Sequence, residues 1–137
     1  LNLLSTIRMC RALVPSMQER GWGRVVAITS STVREPSPVL IPSTTARAGL
    51  TGSLKTMATE VAPDGVTVNS VQPGPHATDR LAEIYDDLDA VAAGVPVRHL
   101  GDPDDFGRVV AFLCSESARS ITGAALPVEG GSLRAIQ

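Results

Sequence analysis

"ARAGLTGSLKTMATEVAPDGVTVNSVQPG", residues 46–74, decides how this 137-residue chain folds. Ala46, Leu50, Leu54, Met57 and Val61 recur at three- and four-residue steps, the spacing of one helical face, so a helix is expected over about 43–61. Pro63, Asp64 and Gly65 then turn the chain. "VTVNSV", 66–71, is short and rich in β-branched residues, which suits a strand. Pro73 and Gly74 break it. A helix delivered by a tight turn into an apolar strand is one half of a β-α-β crossover.

The flanks repeat the pattern. "RVVAIT", 24–29, reads as a strand buried on both faces. Before it, Leu3, Leu4, Ile7, Cys10, Leu13, Val14 and Met17 form the apolar stripe of a helix over about 1–20, with Pro15 inside and Gly21 and Gly23 stopping it. A Ser/Thr/Pro-rich loop runs from Ser30 to about Pro42. Downstream, the acidic "RLAEIYDDLDAVAAG", 80–94, reads as a helix. "DPDDFGRVVAFLCSESA", 102–118, opens on an Asp-rich cap and continues as another. "AALPVEGG", 124–131, reads as a third strand and a glycine turn. Helices that separate successive strands define an α/β class: a Rossmann-like parallel sheet of three strands with about four covering helices. One domain, 1–137, is expected. Its first helix starts without a cap and its first strand has an open edge, so the sequence reads as the C-terminal part of such a fold.

Composition narrows the function classes. The net charge is −2, and eleven of the twelve basic residues are arginines scattered along the chain, so no basic stripe for nucleic acid or anionic lipid stands out. No apolar run approaches the length of a membrane span. Cys10 and Cys114 lack a metal-ligand spacing and read as buried thiols of a cytoplasmic protein, and no metal site is expected.

In open parallel sheets, ligands sit beyond the carboxyl ends of the strands. Three polar stretches fall there: "TSSTV" after the first strand, "QPGPHAT" after the second, and the start of "STTARAGL". With "NLLSTIRMCRALVPSMQERGWGRVVAITSS", 2–31, and "VRHLGDPDDFGRVVAFLCSESARSITGAALPVEGG", 97–131, these blocks resemble the short-chain dehydrogenase/reductase family, with the 3-oxoacyl-carrier-protein reductases as the nearest branch. The resemblance covers the C-terminal half of a typical member.

That resemblance implies NAD(P)-dependent interconversion of carbonyl and alcohol by hydride transfer, with NAD or NADP as cofactor. It also implies a small-molecule carbonyl or alcohol substrate, no nucleic acid, no membrane, and a homodimer or homotetramer. The family's catalytic set is Asn, Ser, Tyr and Lys. Asn2 stands at the asparagine position and Ser30 at the serine position. Where the family has Tyr-x-x-x-Lys, this chain has Ser43-Thr-Thr-Ala-Arg47. Pro73, Gly74, His76 and Thr78 stand where the family holds the nicotinamide, and Arg47 is placed to hold the ribose.

The departure is chemical as well as formal. A phenol titrates near about 10 and a neighbouring cation lowers it. A serine hydroxyl is shorter and far less acidic, and a guanidinium keeps its proton. Plainer roles stand beside these: Ser43 as a helix cap after Pro42, Arg47 as a solvated or ion-paired helix residue, Ser30 as a loop hydroxyl bonding nearby backbone, and His76 as a loop residue offering only its backbone. Two functions therefore compete. One is an oxidoreductase with a variant site, and the other a catalytically silent homologue kept for binding or oligomerisation.

Overall fold

The computed structural model describes residues 2–136. In chain order the elements are α1 (Leu4–Glu19), β1 (Gly23–Ile28), α2 (Ile41–Val61), β2 (Val66–Pro73), α3 (Asp79–Ile84), α4 (Leu88–Gly94), α5 (Pro103–Leu113) and β3 (Ala125–Val128). The three strands form one parallel sheet in the order β1-β2-β3, with Gly23 beside Val66 and Ser70 beside Ala125. This is the expected Rossmann-like α/β pattern.

α1 ends as its glycine demands. Gly21 takes a left-handed φ of 66°, its N–H bonds to Gln18 O at 3.0 Å, and Trp22 N–H reaches Met17 O at 3.1 Å. These are the paired closing bonds of a glycine-terminated helix. Gly65 repeats the device before β2 with φ 72°. A Cβ there would lie 2.3 Å from Gly21 O, so both the conformation and the space require glycine.

The core lies between the helices α1 and α2 and one face of the sheet. Cys10, Val14, Leu50, Leu54, Ala58 and Val61 pack with Ala27, Val66 and Val68. Residues two apart on a strand share a face, which explains why Val66 and Val68 meet α2 together. β2, the central strand, is the only strand of the three buried almost throughout.

Several expectations change. β1 is not buried on both faces: Arg24, Val25 and Val26 are half-buried and Ile28 is 59% exposed, because β1 is an edge strand among the described residues. In α1 only part of the stripe turns inward, and Leu4 and Leu13 face out. The acidic segment makes two short helices, α3 and α4, separately capped by Thr78 and Asp87, so the described residues form five α-helices where about four were expected. Cys114 is exposed rather than buried, just past the C-terminus of α5. Cys10 is buried, which pushes its thiol up, and the two are free thiols. None of the described helices is long and apolar enough to cross a membrane.

Candidate active site

Ser30 leaves the carboxyl end of β1 in extended conformation and opens a 3-10 turn over Ser31–Val33. Its Oγ accepts the Thr32 N–H at 3.1 Å and the Thr32 hydroxyl at 2.9 Å. Thr32 Oγ1 in turn accepts the Thr44 hydroxyl at 3.1 Å. Thr44 is buried in the first turn of α2. Three hydroxyls thus tie the Ser30 loop to the start of α2. With its oxygen accepting twice, Ser30 has its own O–H left to donate.

Thr44 carries its neighbours with it. Ser43 and Arg47 lie one turn apart on α2, both half-buried, and Arg47 Nη1 donates to Ser43 Oγ. Ser43 is not the helix cap expected of it. α2 begins two residues earlier, at Ile41 after Leu40, because Pro42 fits the first turn, where its missing N–H costs no bond. Of the two plainer readings of Arg47, solvated or ion-paired, the ion pair is absent: no carboxylate lies within salt-bridge reach of it among the described residues.

The second strand delivers the turn. Ile28 pairs with Val71 and Thr29 N–H reaches Val71 O at 2.8 Å, so Ser30 leaves β1 beside the end of β2, where Pro73 and Gly74 begin the turn. Gly74 packs on β3. Its N–H bonds to Val128 O at 3.0 Å, and a Cβ would sit 2.6 Å from Glu129 Cβ. Thr78 is exposed and caps α3 by accepting Leu81 N–H at 3.3 Å.

The His76 ring packs against α5. The His76 backbone bridges to Gly101, and its Nδ1 donates to Gly74 O at 3.0 Å. The ring stands edge-on to Phe106 at 5.0 Å. It lines a cavity of about 220 Å³ with Val95, Val97, Phe106, Val109 and Val128, and neither Ser30, Ser43 nor Arg47 lines that space. Asn2 lies exposed just before α1 and makes no side-chain hydrogen bond among the described residues. The structure therefore brings Ser30, Ser43 and Arg47 to one place, with Pro73 and Gly74 beside them. Asn2 makes no bond to that group, and the His76 ring touches it only through Gly74 O.

Sequence reasoning passed over Thr32, Thr44, Arg34 and Gln72. Arg34 leaves the Ser30 loop, gives Nε to Gln72 Oε1 at 2.6 Å and Nη2 to Ala125 O at 2.7 Å, and so pins the loop to β2 and β3. The only available signal was the run of hydroxyl residues around Ser30 and Ser43. Among the described residues no group of three or more His, Cys, Asp or Glu is placed to hold a metal.

In open parallel sheets ligands bind beyond the carboxyl ends of the strands, the end at which the Ser30 loop and the start of α2 meet. Residues 1–132 match the family profile described as enoyl-(acyl carrier protein) reductase. The chain belongs to the short-chain dehydrogenase/reductase family. It is 40% identical over 131 residues to an acetoacetyl-CoA reductase of Cupriavidus necator, which covers 95% of this chain and 53% of that protein. It is 38% identical to the 3-oxoacyl-[acyl-carrier-protein] reductase of Haemophilus influenzae, covering 95% of this chain and 54% of the relative. The crystal structure of YwfH, an NADPH-dependent reductase involved in bacilysin biosynthesis, superimposes with a TM-score of 0.93 at 27% identity, over 97% of this chain and 56% of that one. The chain spans about half the length of the relatives it matches.

Proposed function

We propose that this chain supplies the carbonyl side of the site in an NAD(P)-dependent oxidoreductase, with Ser30 as the hydrogen-bond donor to the substrate oxygen. One observation carries this reading: the Ser30–Thr32–Thr44 hydroxyl chain, which ties the Ser30 loop to the first turn of the helix that bears Ser43 and Arg47 and leaves the Ser30 proton free.

The residues present fit the nicotinamide–ribose end of the cofactor. Arg47 has five N–H donors and spends one on Ser43, so donors remain for ribose hydroxyls. The Thr78 hydroxyl accepts the cap bond and keeps its own proton to donate. When bound, the nicotinamide gives or takes the hydride. This chain's residues do the rest. Ser30 polarises the carbonyl oxygen, Ser43 offers a second neutral donor backed by the Arg47 charge, and the proton on the product alcohol comes through water. Neutral donors stabilise a developing alkoxide without transferring a full proton, so turnover is slow.

The test is Ser30→Ala in a protein that joins this chain to a dinucleotide-binding half, with NAD(P)H oxidation followed against simple ketones and acetoacetyl thioesters. The expected result is a fall in kcat/KM of about 10²-fold or more, the usual cost of one such donor. Unchanged kcat/KM removes Ser30 from the mechanism. The 137 residues alone are expected to show no turnover.

A further inference from the structure

The opposite end of the sheet holds a second polar cavity, of about 360 Å³, at the amino ends of β1 and β2. Trp22, Arg24, Thr67, Glu116, Arg119 and Ser120 line it. The Arg24 side chain is only 5% exposed. It gives Nη1 to Gly23 O at 2.8 Å and Gly65 O at 3.3 Å, and Nη2 to Glu116 Oε1 at 3.1 Å. Its Nε is buried and has no partner among the described residues, and Thr67 Oγ1 is in the same condition. Buried polar atoms almost always find a partner, and two orphans on one cavity wall ask for an acceptor that both can use.

The surrounding charge says what that acceptor is. Arg119 is exposed and forms no salt bridge among the described residues. Glu116 is the one carboxylate lining the cavity, and its Oε1 is already shared between Trp22 Nε1 and Arg24. Two guanidinium groups against one carboxylate leave an excess positive charge. The Trp22 indole lies over the Arg24 guanidinium, 5.0 Å from Cζ to the ring centroid, and is 45% exposed.

We propose that this cavity binds a small oxyanion, a carboxylate or phosphate group, held between Arg24 and Arg119 and covered by Trp22. Planar guanidinium groups pair with such oxygens through charge-assisted bonds. The site lies at the other end of the strands from Ser30 and does not depend on the reading of that edge.

Trp22 is the only tryptophan, so its fluorescence reports on the site directly. The 137-residue chain is titrated with inorganic phosphate, acetate and chloride at constant ionic strength. A saturable change with phosphate or acetate, absent with chloride, is expected, and the anion that saturates first tells phosphate from carboxylate. Arg119→Ala should weaken that binding by about tenfold, the worth of one charge-assisted bond. Glu116→Gln should strengthen it several-fold by removing the opposing charge. Both positions are largely exposed, and circular dichroism checks that both variants stay folded. A response that is equal for chloride, absent for every anion, or unmoved by both substitutions means that the cavity holds water only, and overturns the proposal.

Discussion

Leu54→Ala is expected to lower the unfolding free energy by about 2–5 kcal/mol, the range for emptying a packed leucine site. Leu54 is 3% exposed and sits midway along α2, in the row Leu50, Leu54, Ala58, Val61. That row faces Val66 and Val68 of β2, both fully buried. Truncation leaves a void where a helix meets the central strand, and neither element can close it without breaking register. A domain has a total of about 5–15 kcal/mol, so the loss is a large part of the whole. Urea unfolding followed by circular dichroism measures it. Val39→Ala is the control, since Val39 is 84% exposed and its loss should stay within about 0.5 kcal/mol. Equal midpoints for the two variants would mean that α2 does not rest on the sheet as described. The consequence reaches the site, because α2 carries Thr44, Ser43 and Arg47.

Asn69→Ala is expected to be comparably damaging through polar chemistry alone. Asn69 is 1% exposed on β2. Its Nδ2 donates to Ile121 O at 2.8 Å and its Oδ1 accepts Ala124 N–H at 3.0 Å. Two further bonds hold the same crossing: Val68 N–H to Thr122 Oγ1 at 3.0 Å and Gly123 N–H to Val68 O at 2.8 Å. Alanine leaves a carbonyl and an amide unpaired, at roughly 1–3 kcal/mol each. Hydrogen exchange separates this from a packing loss. The Ala124 amide should lose protection first, while the Thr29 amide, bonded to Val71 O on the other side of β2, keeps its own. Uniform loss across the sheet would contradict the clamp.

The fold was largely legible in the sequence because its signals are local. The stripe from Leu50 to Val61, the Pro63–Gly65 turn and the β-branched run at 66–71 each fix one element through neighbouring residues. Where neighbours mislead, the reading slipped. Ser43 looks like a cap, yet Pro42 prefers the first turn and moves the helix start to Ile41. Leu4 and Leu13 look like core, yet only the side of α1 nearest α2 and β1 is covered.

The site divides in the same way. Ser30, Ser43 and Arg47 could be named because their spacing along the chain survives even though tyrosine and lysine do not. Thr32 and Thr44 could not, since their contact crosses from a loop to a helix and leaves no periodic trace. The orientation of His76 was equally hidden. Gly101, whose Cβ would lie 2.5 Å from the imidazole, admits the ring to the α5 side. A feature 25 positions away in sequence decides it.

The most direct test restores the missing acid. In a protein joining this chain to a dinucleotide-binding half, the rate of NAD(P)H-dependent carbonyl reduction is compared before and after Ser43→Tyr with Arg47→Lys. If Ser30 and the start of α2 still frame a carbonyl site, the phenol gains its proton-transfer role, and kcat should rise by about 10²-fold or more. Cofactor binding with no gain in rate would show that the edge no longer holds a carbonyl in place, and would favour the catalytically silent homologue.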